Sequence, residues 1–284
     1  MSSCQINVAE LDRLKMNNRS RWLRLVLGMV LAALSVLALN PEVSSTLAQM
    51  PNYDAIEFIM PETLLPKRRG GGGRMAGCPC FGCQSRFVGL LPPTNIGLTV
   101  SERPTFFVTL ALVNDNNRQR LQSDSTSTIP FELAILDEDD YELVASAEFS
   151  SPAMNGTMAF TLPETVRGLD IDKTYHWYVS LICDREDRIT DILADGWVNR
   201  IELTPALRQT IANASELEKL AVYAREGFWY ETLAILAQQI EVEPDNPRVQ
   251  KAWERVLTSV ELEEAAKEPV IPSTSIQLLP TSDN

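Results

Sequence analysis

The chain has 284 residues, 45% hydrophobic and 22% charged, enough for one large or two small domains. Lys plus Arg is 25 and Asp plus Glu is 38, a formal net charge of −13 that repels phosphate backbones and argues against a nucleic-acid partner. The single histidine, His176, excludes multi-histidine metal sites and leaves one candidate for any histidine-dependent triad.

The N-terminus reads as an address. Arg19, Arg21 and Arg24 precede a 15-residue apolar run, Leu25 to Leu39, that Pro41 ends. A basic region followed by so short a run predicts a secretory signal peptide over residues 1–48, since a spanning helix needs about 20 apolar residues. Thr46-Leu47-Ala48 places the cut between Ala48 and Gln49, and Met16 is an alternative start. Cleavage leaves 20 basic and 35 acidic residues. An uncleaved membrane anchor is the competing reading. Residues 49–77 are expected to be a flexible leader, broken by Pro51, Pro61 and Pro66 and carrying the linker run Gly70–Gly73. A phosphate loop is excluded there, because no strand precedes the glycines and no helix follows them.

Cys4 leaves with the signal, so Cys78, Cys80, Cys83 and Cys183 remain. An exported, oxidising setting favours disulfides. Cys183 takes its partner from the 78–83 cluster, and Cys78 is our choice. Such a bridge closes a loop worth up to about 4.7 kcal/mol in the chain-entropy model. Cys80 and Cys83 could pair locally across a strained loop. They could also form a C-x-x-C redox pair, although no βαβ context surrounds them. A four-thiolate zinc site is disfavoured by crowding three ligands into six residues.

Short runs separated by turn signals fill residues 78–204. They are Ile96–Val100, Thr105–Leu112, Pro130–Leu136, Tyr141–Phe149, Thr157–Leu162, Lys173–Asp184 and Ile192–Leu203. About seven such strands without intervening helices predict an antiparallel β-sandwich. Asp137–Asp140 reads as the acidic turn of a hairpin. The strongest pattern is Lys173–Asp184: Tyr175, Trp177, Val179, Leu181 and Cys183 share one face, opposite the more mixed His176, Tyr178, Ser180, Ile182 and Asp184. That predicts a half-buried strand, with His176 a structural residue without visible partners. Leu169–Tyr175 with Trp177 and Val179 is similar to the entry into strand F of fibronectin type III and immunoglobulin-like domains. The resemblance makes Tyr175 a tyrosine corner and Trp177 core. Two acidic stretches, Asp137–Asp140 and Asp184 with Glu186, Asp187 and Asp191, fail the calcium-loop template and read as solvated turns.

Residues 205–262 are helical in period. Thr204-Pro205 starts one helix, and Ser215 with Glu218 forms a capping box for the next, which Gly227 ends. Trp229, Leu233, Leu236 and Ile240 mark another, closed by Pro244–Pro247, and Val249, Trp253, Val256, Leu257 and Val260 mark a last one. Gly227–Asn246 resembles the second half of a tetratricopeptide repeat, with Thr232 in place of the usual Ala. One repeat cannot build a stacked groove, so a helical cap on the sandwich is expected. Residues 263–284 are aperiodic and expected to be a disordered tail.

The order of features resembles a family of exported cyanobacterial proteins known as domain of unknown function 928. The resemblance rests on Gly77-Cys78, Asn95–Leu98, Ser101–Thr105, Lys173–Trp177, Ile182–Asp184 with Asp187-Arg188, Gly196-Trp197, Arg200–Leu203, and Tyr223 with Gly227–Tyr230. It implies the Cys78–Cys183 pairing, adds no activity, and leaves Cys80 and Cys83 as extras.

The expected function is an exported, non-catalytic envelope or periplasmic module that meets an unknown protein partner, with no cofactor, no metal and no membrane contact after cleavage. The alternatives are a thiol redox protein using Cys80 and Cys83, and a hydrolase using carboxylates among Asp184, Asp187, Asp191 and Asp195.

Overall fold

A computed structural model describes residues 52–62, 86–111 and 128–280. Nine strands occur in them: β1 (Arg86–Gly89), β2 (Ile96–Thr99), β3 (Thr105–Ala111), β4 (Thr128–Leu136), β5 (Leu143–Pro152), β6 (Gly156–Thr161), β7 (Lys173–Leu181), β8 (Ile192–Arg200) and β9 (Gln277–Leu278). The helices are α1 (Pro205–Ala212), α2 (Glu216–Glu226), α3 (Trp229–Val242), α4 (Pro247–Thr258) and α5 (Glu263–Ala266).

The strands form two sheets, one in the order β1-β3-β6 and one in the order β2-β8-β7-β4-β5-β9. Period-2 alternation decides which face each strand buries. In β4 Ile129, Phe131, Leu133 and Ile135 are buried, and the residues between them are not. Tyr175, Trp177, Val179 and Leu181 of β7 bury likewise. The two sheets face one another through aromatic pairs. Phe131 of the wide sheet lies 5.3 Å from Phe160 of the narrow one, and Phe106 lies 5.3 Å from Trp177.

Three strands cannot cover six, and α3 covers part of the remainder. Its first residues, Trp229 and Tyr230, press so close to β2 that any Cβ at Gly97 would meet them within 3.1 Å. The helix starts follow the sequence signals. Thr204 caps α1 with Pro205 at its first turn, and Ser215 and Glu218 close a capping box on α2. Gly227 ends α2 at φ +77°, a conformation that disfavours any side chain.

Four expectations are corrected. The sheets are not wholly antiparallel, because β2 runs parallel to β8, with Ile96 opposite Trp197. Pairing between strands so distant in sequence leaves no local trace. Strand β7 is not half-buried, since His176 and Ser180 on its other face, and Ile182 just beyond it, are buried too. His176 owes this partly to the Trp197 ring stacked on it. Residues 52–62, placed in a flexible leader, are folded onto the helices: a 3-10 turn at Tyr53–Ala55 is followed by buried Ile56 and Phe58. Residues 263–280, placed in a disordered tail, form α5, a 3-10 turn and β9. There the chain bonds to two sheet edges in turn. Thr157 N–H of β6 donates to Pro269 O, Ile271 N–H donates to Thr157 O, and Leu279 N–H donates to Glu148 O of β5. Such bonds order a segment whose own composition does not.

The signal peptide, the Ala48–Gln49 cut, the Gly70–Gly73 linker, Cys78, Cys80 and Cys83 all lie outside the described residues. Among the described residues no helix is long and apolar enough to cross a membrane.

Candidate functional site

His176 sits mid-strand on β7, opposite Leu136 of β4 and Trp197 of β8. That register brings three polar side chains to it. Its Nε2 lies 3.0 Å from Asp195 Oδ2, and its Nδ1 lies 2.8 Å from Asp140 Oδ1. The Tyr178 hydroxyl is also 2.8 Å from Nδ1. Tyr178 and Asp195 are themselves cross-strand partners. The Trp197 ring stacks on the imidazole at 4.1 Å and 12°.

Asp140 arrives from the β4–β5 turn. There Asp137 Oδ1 accepts from the N–H groups of Tyr141 and Glu142, and Asp140 adopts φ +60°. Asp tolerates this left-handed conformation better than most residues, so the acidic turn is built from residues its geometry favours. The side chain of Asp195 is 6% exposed and that of Asp140 is 43% exposed. The ring is therefore held by one enclosed and one solvated carboxylate. Burial, helped by Asp140 and Asp195, pushes the Tyr178 phenol up to about 12. Both imidazole nitrogens are engaged by these partners, so the arrangement orients the ring between two strands and a turn. It does not aim a nitrogen at a substrate.

The same end of the wide sheet carries a cleft of about 310 Å³. The acidic turn lines it through Asp137, Glu138, Asp139 and Glu142, against Arg167, Asp172, Lys173 and Tyr175. The basic side chains are engaged at its rim, since Arg167 and Lys173 both pair with Asp170. That pairing holds the Asp170 carboxyl below its usual value, with the Lys173 bond first.

The carboxylates of the hydrolase alternative are not brought together. Asp184 accepts from Glu186 N–H in the loop after β7, and Asp187 caps the 3-10 turn Arg188–Thr190. Asp191, its side chain 5% exposed, accepts from Arg188 and from Cys183 N–H, while Arg188 also reaches Glu132. Asp195 faces His176. Cys183 itself is half-buried against the core just beyond β7. The Tyr175 hydroxyl accepts the Asp170 N–H at 3.0 Å, a bond back to nearby backbone of the kind a tyrosine corner makes. Among the described residues no group of three or more His, Cys, Asp or Glu is disposed to hold a metal ion.

A further enclosed acid went unread in the sequence. Glu231, in the first turn of α3, accepts at Oε1 from Thr99 Oγ1 (2.5 Å), Val100 N–H (2.9 Å) and Ser101 N–H (3.1 Å). It ties the β2–β3 loop to the helix, where a negative charge also faces the helix N-terminus. Glu231 is half-buried as a residue, yet its Oε2 is shut from solvent without a partner among the described residues. Burial pushes its carboxyl up, against the pull of the Thr99 bond and the backbone donors. Next in the motif that opens this loop, Arg103 donates to the carbonyls of Pro163 and Val166.

Together these features define a class: a β-rich protein of two facing sheets with a helical layer, whose ionisable groups clamp strands and loops to one another. The chain matches the family model described as Domain of Unknown Function (DUF928) over residues 69–270, and it belongs to that family. No curated protein matches it.

Proposed function

We propose that this protein is an exported, non-catalytic interaction module that works in the cell envelope or periplasm. One observation carries the reading. His176, Asp184, Asp187, Asp191 and Asp195 are each committed to an internal contact, and none lines the one cleft described above. An active site needs such groups converging on a space for substrate. The export half rests on the basic region and the short apolar run ahead of Ala48-Gln49.

The same reading includes a Cys78–Cys183 disulfide, for which the half-buried place of Cys183 against the core gives support. It also takes the two sheets as an immunoglobulin-like sandwich, supported by the Tyr175 bond to Asp170 N–H, and α2–α3 as a single tetratricopeptide-like unit, supported by Gly227 at the helix junction. The test is expression of the full chain in a host with a periplasm, followed by fractionation and intact mass with and without reductant. The expected product is periplasmic, starts at Gln49 and gains mass on reduction. A cytosolic product with an intact N-terminus would overturn the export reading.

A further inference from the structure

We propose that the groove between α2, α3 and α4 is a peptide-binding site, and that residues 52–62 are its resident, exchangeable ligand. The inference deepens the reading of the protein as an interaction module by naming the class of partner such a site accepts.

The segment lies in the groove as a bound peptide would. It runs antiparallel to α3: the Tyr53 hydroxyl donates to Gln239 near the helix C-terminus, and Phe58 meets Trp229 at its N-terminus, edge to face at 4.8 Å. After the 3-10 turn the backbone is extended, with Ile56 at φ −72° and ψ 118°. Side chains then alternate. Ile56 and Phe58 are buried, while Glu57 and Ile59 point outward. That is the one-sided insertion by which extended peptides are read.

The groove also grips the backbone. Arg255 of α4 donates from Nε to the Ile56 carbonyl at 3.1 Å and from Nη2 to the Tyr53 carbonyl at 2.7 Å. Ile59 N–H donates to the Ala224 carbonyl at the end of α2. Gly227 leaves room for Pro61, which a Cβ there would meet at 2.4 Å. A guanidinium that takes two main-chain carbonyls, one within the 3-10 turn and one just after it, grips the backbone whatever its outward side chains are. The pockets then specify Tyr-x-x-Ile-x-Phe spacing, and Asp54, Glu57 and Glu62 make the resident acidic.

Covalent geometry permits exchange. With Cys78 tied to Cys183 as proposed above, the 15 residues from 63 to 77 join the segment to the fold, and they reach about 50 Å at full extension. A tether of this length holds the segment at an effective concentration of order millimolar. A free peptide of the same sequence is then outcompeted by the resident until the tether is cut.

The experiment uses the full chain carrying a specific protease sequence within Gly70–Gly73. A fluorescein-labelled peptide of residues 52–62 is titrated into the intact and the nicked protein, followed by anisotropy, with circular dichroism recorded on the same samples. The nicked protein is expected to bind the peptide saturably, about 100-fold or more tighter than the intact chain. A peptide with Phe58→Ala is expected to bind at least about tenfold weaker. A folded nicked protein that never takes up the peptide would overturn the proposal. So would unfolding of the nicked protein as its segment leaves, because the segment would then be ordinary core. Neither result depends on export, so the test fails independently of the proposed function.

Discussion

The Trp177 indole N–H donates to the Tyr230 hydroxyl at 2.8 Å, and that hydroxyl donates onward to the Trp197 carbonyl at 2.9 Å. One buried oxygen thus joins β7, α3 and β8. Burial raises the Tyr230 phenol well above its ordinary value, which keeps its proton available for the second bond. Tyr230→Phe leaves the shape nearly unchanged but strands the buried Trp177 indole N–H and takes one hydrogen bond from the Trp197 carbonyl. An unpaired buried donor costs about 1–3 kcal/mol, so a fall of that size is expected in urea unfolding. A midpoint equal to that of the parent would show that the bridge does not hold the helix to the sheet.

His176 is anchored unequally, and the inequality is measurable. Coulomb energy scales inversely with the local dielectric, so the enclosed Asp195 outweighs the solvated Asp140 at similar distance. Double-mutant cycles with His176→Gln and each Asp→Asn are expected to give about 1–3 kcal/mol for the Asp195 pair. The Asp140 pair is expected at about 0.2–1 kcal/mol. The reverse order would move the anchor of the ring from β8 to the turn.

What could be read from the sequence was local. The strands β2 to β8, the α2 capping box, the Gly227 stop and the buried Trp177 face each follow from spacing within a dozen residues. The partners of His176 do not. Asp195 lies 19 residues away and Asp140 lies 36 away, and only the register of β7 with β4 and β8 brings them together. Pairing β7 with β8 as adjacent antiparallel strands was the signal that could have found Asp195. Glu231 was hidden for another reason. An acid in the first helical turn is ordinary, and the donors that bury it come from a loop about 130 residues earlier. The ordered segments at 52–62 and 267–280 carry little periodicity, because each is held by a groove or an edge that other parts of the chain supply.

The strap after α5 predicts a solubility defect. Its bonds to Thr157 and Glu148 occupy the outer edges of β6 and β5. An uncovered edge is a template for pairing with another chain. Truncation after Glu268 is expected to lower stability, through loss of the Ile271 side chain that packs near Gly156, and to cause concentration-dependent association in light scattering. A truncated chain that stays monomeric at high concentration would mean that the strap is decoration.

Glu231 predicts a pH dependence with a defined sign. Its folded carboxyl is raised above the ordinary value of 4.5, chiefly by burial, so the folded protein holds this proton more tightly than the unfolded chain does. The contribution to stability is complete below the ordinary value and is lost as the pH rises through the raised folded one. Many other carboxylates titrate in the same range, so the parent alone cannot isolate the effect. Glu231→Gln keeps the acceptor for Thr99, Val100 and Ser101 but cannot ionise. The variant carries a constant offset from its enclosed amide N–H₂. On top of that offset, the stability difference is expected to shift in favour of the variant as the pH rises above the ordinary value of 4.5 and through the raised folded one, as the parent alone loses its Glu231 contribution. Parallel urea-midpoint profiles across that range would show that Glu231 titrates alike in both states, and that the unpartnered Oε2 costs the fold nothing that depends on charge.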